Sequence, residues 1–304
     1  MHRTILMLVA VTILAMGVVS AENVTIMDGE SEVDITSAYP EFVGNVTLHD
    51  NEAMGDNELD LTPGTTTPIN CSGEIYDFDG WSDVANISAV IWSNQTTYGG
   101  AEDPVNHYTN ESCNWTQLSA TNVTFQCLFD VQFYADPVNW TCNVTVSDQE
   151  GLNTSATDDA VMLEMLALDL PTPLVDFGDM SLGQNKSDVN LTIENEGNVQ
   201  MDADVDAWYL GGDSTSDVAM NCSYGNISLT NLKTSNVTGN YSDYFSLNVA
   251  GPDYFAYDDM NLDRALSGTT PTSTDLYFGL LVPDVYGLGG FCQGNISVQV
   301  RKST

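Results

Sequence analysis

Apolar and polar residues alternate in short runs along most of this chain. Residues 43–48, 69–76, 87–92, 123–134 and 140–147 each put apolar side chains at every second position, the period of a half-buried strand, and Gly, Asp and Asn turns separate them. Residues 159–170 are ambiguous, because Ala160-Val161-Met162-Leu163-Glu164-Met165-Leu166 also suits a short helix; a last strand over 161–168 leading into a linker is preferred. Pro171-Thr172-Pro173 marks the boundary, since successive X-Pro units favour extended connections. Strands are predicted again near 174–177, 189–194, 199–208, 227–232, 245–249, 275–281 and 295–300, with Gly197-Asn198 as a turn. The reading is all-β: two tandem Ig-like β-sandwiches, residues 40–168 and 169–304.

The N-terminus differs. Residues 1–21 combine a basic start (His2, Arg3), an apolar run from Ile5 to Val19 and the small-residue site Val19-Ser20-Ala21, which predicts a secretory signal peptide cleaved after Ala21. Its retention as an anchor is the alternative; after cleavage no second run is long enough to span a membrane. Residues 22–39 are acidic, poor in apolar residues, and read as a tail or linker.

Charge narrows the function. The chain carries 43 Asp and Glu against 6 Lys and Arg, a net charge of −37, and between Arg3 and Lys186 there is no Lys or Arg at all. Such a chain repels phosphate backbones and anionic lipid surfaces, which excludes nucleic acid as a partner. Self-repulsion this strong is relieved by molar salt or divalent cations, so a saline or calcium-rich exterior is expected.

Two further features point outside the cell. The chain holds 18 Asn-x-Ser/Thr sequons, where random placement would give about 5. Asn45, Asn86, Asn94, Asn110, Asn114, Asn122, Asn153, Asn185, Asn226, Asn236 and Asn240 are the expected glycosylation sites. Six cysteines with no Cys-x-x-Cys or Cys/His zinc spacing favour disulfides, and their division into four and two matches two separately bridged domains.

Leu61-Thr62-Pro63-Gly64 through Cys71, Tyr76-Asp77-Phe78-Asp79-Gly80-Trp81, His107-Tyr108-Thr109-Asn110-Glu111-Ser112-Cys113 and Phe133-Tyr134-Ala135-Asp136-Pro137-Val138-Asn139-Trp140-Thr141-Cys142 resemble a recurrent Ig-like module of archaeal cell-surface proteins. Leu168-Asp169-Leu170, Asp176-Phe177-Gly178, Leu182-Gly183 and Glu194-Asn195-Glu196-Gly197-Asn198-Val199 resemble the module that often follows it. The resemblance covers most of residues 40–304 and implies surface display on β-sandwiches. If Cys71 lies on the second strand and Cys142 on the sixth, they occupy the positions of the inter-sheet bridge of an Ig domain. Cys113 would then pair with Cys127, and Cys222 with Cys292; two other connectivities remain open among the first four.

Enzymatic chemistry finds little support. His49 and His107 are the only histidines after the signal segment, and His107 reads as an exposed loop residue with no nucleophile elbow near it. Acidic residues are so abundant that no pair stands out as glycosidase carboxylates. Gly287-Leu288-Gly289-Gly290 precedes a strand and lacks the lysine of a phosphate loop. The best candidate is a calcium site: Asp77, Asp79 and Asp83 offer hard oxygen ligands in one loop, and the loop after the sixth strand, at the same end of an Ig sandwich, adds Asp148. Trp115, which follows a sequon in a predicted loop, is the candidate for glycan contact.

The expectation is a secreted or cell-surface structural or interaction glycoprotein without enzymatic activity. Its partners are other surface proteins or surface glycans, self-assembly included, with divalent cations assisting the contacts. The alternative is a carbohydrate-binding adhesin.

Overall fold

The computed structural model describes residues 38–50, 57–209, 211–212, 217–247 and 255–303; the predicted signal peptide and nearly all of the acidic tail lie outside them. The first sandwich holds β1 (Glu41–Phe42), β2 (Thr47–His49), β3 (Glu58–Leu59), β4 (Thr67–Tyr76), β5 (Val84–Ser93), β6 (His107–Asn110), β7 (Asn114–Gln117), β8 (Asn122–Val131), β9 (Asn139–Asp148) and β10 (Asn153–Met162). One sheet has the order β1-β4-β8-β7, with β2 also on β4; the other is β3-β10-β9-β5-β6. Neighbours are antiparallel except β3 and β10.

Alternation fills the space between the sheets. Val123, Phe125, Cys127, Phe129 and Val131 of β8 and Trp140, Cys142, Val144 and Val146 of β9 all point inward and are buried. The bridge Cys71–Cys142 crosses from β4 to β9, and Cys113, just before β7, is tied to Cys127 in β8. Trp140 stands two residues before Cys142, where an Ig sandwich places its corner tyrosine. Its indole Nε1 donates to the Asp136 carbonyl at 2.8 Å, so a buried polar atom is satisfied and the chain entering β9 is held.

The second sandwich holds β11 (Leu168–Asp169), β12 (Asn185–Asn195), β13 (Met201–Tyr209), β14 (Val218–Tyr224), β15 (Asn226–Ser228), β16 (Leu232–Ser235), β17 (Phe245–Ser246), β18 (Phe255–Leu262), β19 (Thr272–Leu281) and β20 (Gly289–Lys302). Its sheets are β11-β12-β19-β16-β17 and β15-β14-β20-β13-β18. Leu191, Ile193, Leu276, Phe278, Met201, Ala203 and Val205 form its core, and Cys222–Cys292 joins β14 to β20. Among the described residues no helix is long and apolar enough to cross a membrane.

The fold is the expected all-β pair of sandwiches, with several strands displaced from their predicted positions. The last strand of the first sandwich is β10, not 161–168: Asn153-Thr154-Ser155-Ala156-Thr157-Asp158-Asp159 is polar because its outer face meets solvent, which hid it from an apolar pattern. Residues 107–110 and 114–117 are short edge strands rather than loops. Two strands, β14 and β18, lacked the apolar alternation needed to be seen. Residues 174–177 form no strand. Since β11 already pairs with β12, the second sandwich has begun by Leu168, ahead of Pro171-Thr172-Pro173.

Polar contacts lock the two sandwiches together. Arg264 ion-pairs with Asp136 and donates to the Tyr134 carbonyl at 3.1 Å, and the Tyr134 hydroxyl donates to the Gly268 carbonyl at 2.8 Å. Buried Asn198 receives the Met165 amide at 2.7 Å and donates to the Leu163 carbonyl at 2.9 Å. Gly64 N–H donates to the Glu196 carbonyl at 3.1 Å. Residues 39–304 consequently form one unit.

Candidate metal centre

The inward faces of β4 and β9 do not end where their apolar residues end. On β4 the inward positions run Ile69, Cys71, Gly73, Ile75 and reach Asp77; on β9 they run Trp140, Cys142, Val144, Val146 and reach Asp148. Strand periodicity thus drives two carboxylates into the end of the sandwich, where Asp77 is 0% and Asp148 2% exposed.

Each buried carboxylate is used on one side only. Asp77 Oδ1 accepts from the Asp79 amide at 2.9 Å, and Asp148 Oδ1 accepts from the Leu152 amide at 2.7 Å, so each shapes its own loop. Asp77 Oδ2 and Asp148 Oδ2 are both buried with no hydrogen-bond partner. A buried, unpartnered carboxylate oxygen is costly, and two at one site form an arrangement that a cation completes.

Further carboxylates gather round them. Oxygens of Asp77, Asp79 and Asp83 lie within 4.8 Å of one another, as do those of Asp83, Asp148 and Glu150, so Asp83 belongs to both groups. The backbone holds this in place: Gln149 N–H donates to the Asp83 carbonyl at 2.9 Å, tying the β4–β5 loop to the β9–β10 turn, and Asp77 N–H donates to the Thr121 carbonyl at 2.8 Å. Gly80 has φ 111°, a conformation closed to residues with a Cβ, and lets the chain turn between Asp79 and Asp83.

Electrostatics agree with the geometry. Burial pushes the Asp77 carboxyl above its ordinary value; the hydrogen bond from Asp79 opposes this, and the charges of Asp79, Asp148 and Glu150 add to it. The five basic residues after the signal segment are all in the second half of the chain. Lys186 donates to the Phe177 carbonyl, Lys233 lies over the Tyr241 ring, Arg264 meets Asp136, Arg301 meets Asp202, Asp204 and Asp258, and Lys302 meets Glu164. A set made only of carboxylate oxygens, without nitrogen or sulfur, matches a hard cation of the calcium type.

The four residues singled out in the sequence, Asp77, Asp79, Asp83 and Asp148, are therefore brought together. Glu150 was missed as a ligand, although it stands in the same Asp-Gln-Glu-Gly turn two positions beyond Asp148. Trp115 lies on edge strand β7 rather than in a loop, half-buried, with its ring 6.3 Å from that of Trp81.

His107, expected to be exposed in a loop, is buried at the start of β6, with Nε2 3.1 Å from the Tyr98 carbonyl. His49 lies on β2 with its ring nitrogens 2.6 Å from the Asp50 carbonyl and 3.0 Å from Ser72 Oγ. Of the expected glycosylation positions, Asn45, Asn86, Asn94, Asn114, Asn153, Asn185, Asn226, Asn236 and Asn240 are exposed, while Asn110 and Asn122 are half-buried.

No family model matches the chain, and no curated protein matches it. Among solved structures it shows similarity to one described as "Structural basis for the promiscuous specificity of the carbohydrate-binding modules from the beta-sandwich super family". That likeness has 11% identity and a TM-score of 0.25, covering 87% of this chain and 97% of that one. It is also similar to the Streptococcus agalactiae AgI/II polypeptide BspA C-terminal domain, at 11% identity and a TM-score of 0.23, covering 87% of this chain and 98% of that one. Similarity this loose carries no assignment of function.

Proposed function

We propose that this chain is a non-enzymatic, extracellular or cell-surface structural module whose first sandwich binds a calcium ion through Asp77, Asp79, Asp83, Asp148 and Glu150. The observation that carries this is the pair of buried, unpartnered oxygens, Asp77 Oδ2 and Asp148 Oδ2, at the same end of one sandwich. An ion there would bind the β4–β5 loop to the β9–β10 turn and stiffen a surface for contacts with neighbouring surface proteins. Three disulfides with no free cysteine, together with exposed sequons, support the extracellular location. The test is calorimetric titration of calcium into the chain in molar salt. A saturable heat that disappears in Asp77→Asn and in Asp148→Asn supports the site; no heat at millimolar calcium removes it.

A second reading, glycan binding, is favoured by one feature. Trp81 stands between Asp79 and Asp83 and packs beside Trp115, so two half-exposed indoles adjoin the carboxylate cluster. Glycan-array binding abolished by Trp115→Ala with the melting temperature unchanged would favour the adhesin.

A further inference from the structure

The five carboxylates of the candidate metal centre form two sets of like composition. Each has one buried acid, one exposed acid two positions further along the chain, and half-buried Asp83. The first set takes Asp77 and Asp79, the second Asp148 and Glu150. Within a set the ligand oxygens lie within 4.8 Å of one another, and among the described residues no such set contains both Asp77 and Asp148. Calcium holds its oxygen ligands at about 2.3 to 2.6 Å, so two oxygens on one ion are at most about 5 Å apart. Either set suits one ion, and the two together suit two.

Burial makes the same division. Each set contains one of the two buried oxygens without a hydrogen-bond partner, on Asp77 in the first and on Asp148 in the second, residues that are 0% and 2% exposed. An ion seated in one set leaves the buried oxygen of the other unsatisfied, at the full desolvation cost of a charged group. Charge points the same way. Of the five negative charges these groups carry when ionised, one divalent cation leaves three uncompensated and two leave one.

We propose that the centre holds two divalent cations of the calcium type, one in each set, bridged by the Asp83 carboxylate. The inference rests on the reading of this centre as a calcium site, and adds to it a second ion and the residue that links the two. A carboxylate offers about four lone-pair positions, so Asp83 can serve both ions whatever else it contacts. Its backbone is tied to the second set as well, since the amide of Gln149, between Asp148 and Glu150, donates to the Asp83 carbonyl at 2.9 Å. The first ion to bind fixes the Asp83 side chain and both loops for the second, and the negative charge that remains outweighs the repulsion between the ions. Binding is therefore cooperative, and the loss of either set weakens both ions.

The test is equilibrium dialysis of the metal-stripped chain against calcium in molar salt, with the bound ions counted per chain. Expected are two ions bound saturably with a Hill coefficient above 1. Asp83→Asn should weaken both by about tenfold or more while leaving the melting temperature in chelator no lower than that of the parent. Terbium gives a second count: Trp81 stands between Asp79 and Asp83, and terbium emission excited through its indole should reach a plateau at two equivalents. One ion per chain by both counts overturns the two-ion centre and leaves the calcium site itself standing, whereas no calcium bound at millimolar concentration removes both. Two ions that persist undiminished in Asp83→Asn or in Asp148→Asn lie elsewhere on the chain and overturn the proposal as well.

Discussion

Asp77 and Asp148 stand six residues beyond Cys71 and Cys142, the two cysteines that bridge the sheets of the first sandwich. The bridge sets the relative position of β4 and β9, and six residues of even alternation carry both strands to the same end with an inward-facing carboxylate each. The disulfide thereby positions the candidate metal centre. Its two buried oxygens face the interior for the same reason that Val144 and Val146 do.

Replacing Asp77 by Asn should separate stability from metal response. Without calcium the variant loses a charge that Asp79, Asp148 and Glu150 repel, so its melting temperature should equal or exceed that of the parent. With calcium at a hundredfold its dissociation constant, the parent should gain about 2.7 kcal/mol, a rise of about 5 to 10 °C, and the variant should gain little. Scanning calorimetry with calcium and with chelator reads both differences.

The same carboxyl gives a signed pH dependence. Its folded value is raised, so between the unfolded and folded values the native state binds a proton that the unfolded chain does not, and stability falls as pH rises. Burial raises Glu196 and Asp206 in the second sandwich in the same direction, while the hydrogen bond from Tyr244 lowers exposed Asp188 and opposes them. In chelator, stability should increase on mild acidification from neutral pH. Calcium should remove the share due to Asp77, and Asp77→Asn should remove it in the absence of metal; urea melts across pH 4.5 to 7.5 check this.

Arg264 of the second sandwich ion-pairs with Asp136, the same residue whose carbonyl takes the Trp140 indole. Arg264→Ala leaves a partly buried carboxylate without its cation and should cost about 2 to 3 kcal/mol. Arg264→Lys keeps the charge but not the fork that also reaches the Tyr134 and Asn198 carbonyls, and should recover only part of this. Limited proteolysis at residues 163–171 should accelerate in the Ala variant.

Two disulfides close loops of nearly equal length, 71 and 70 residues, so chain entropy assigns each about 4 kcal/mol. Their surroundings differ: Cys71 and Cys142 are 0% exposed, whereas Cys292 is only half-buried on β20. Removing Cys71–Cys142 by double alanine substitution should therefore cost more, by about 1 to 2 kcal/mol for the core cavities added to the entropy. Paired chemical denaturation of the two double variants decides it.

Salt should stabilise the whole chain. With 43 acidic groups and 6 basic ones, repulsion is long-range and exceeds what local pairs offset. Raising sodium chloride from about 0.01 M to 1 M shortens the screening length from about 30 Å to 3 Å and should raise the melting temperature by several degrees. An unchanged midpoint would reject the saline-exterior reading.

Strands with a strong apolar stripe were legible along the chain, because period-two alternation is a local property: β4, β5, β8, β9, β12, β13 and β19 begin or end within three residues of their predicted limits. Four carboxylates of the candidate metal centre were legible too, since Asp77, Asp79 and Asp83 share one loop and Asp148 follows once two sandwich ends are superposed. Edge strands β6 and β7, and β10 with its solvent-facing outer side, were not, because strands that expose most of their side chains read as polar loop. What separates an ordinary acidic turn from a binding site, the burial of Asp77 Oδ2 and Asp148 Oδ2 without a donor, depends on which residues cover them from other strands. The exposure of β20 is likewise hidden in the sequence: Ile296, Val298 and Val300 alternate as the buried residues of β9 do, and only the tertiary structure shows that they are half-buried. Local sequence determines which face of a strand is apolar; what lies against that face is decided by segments distant in the chain.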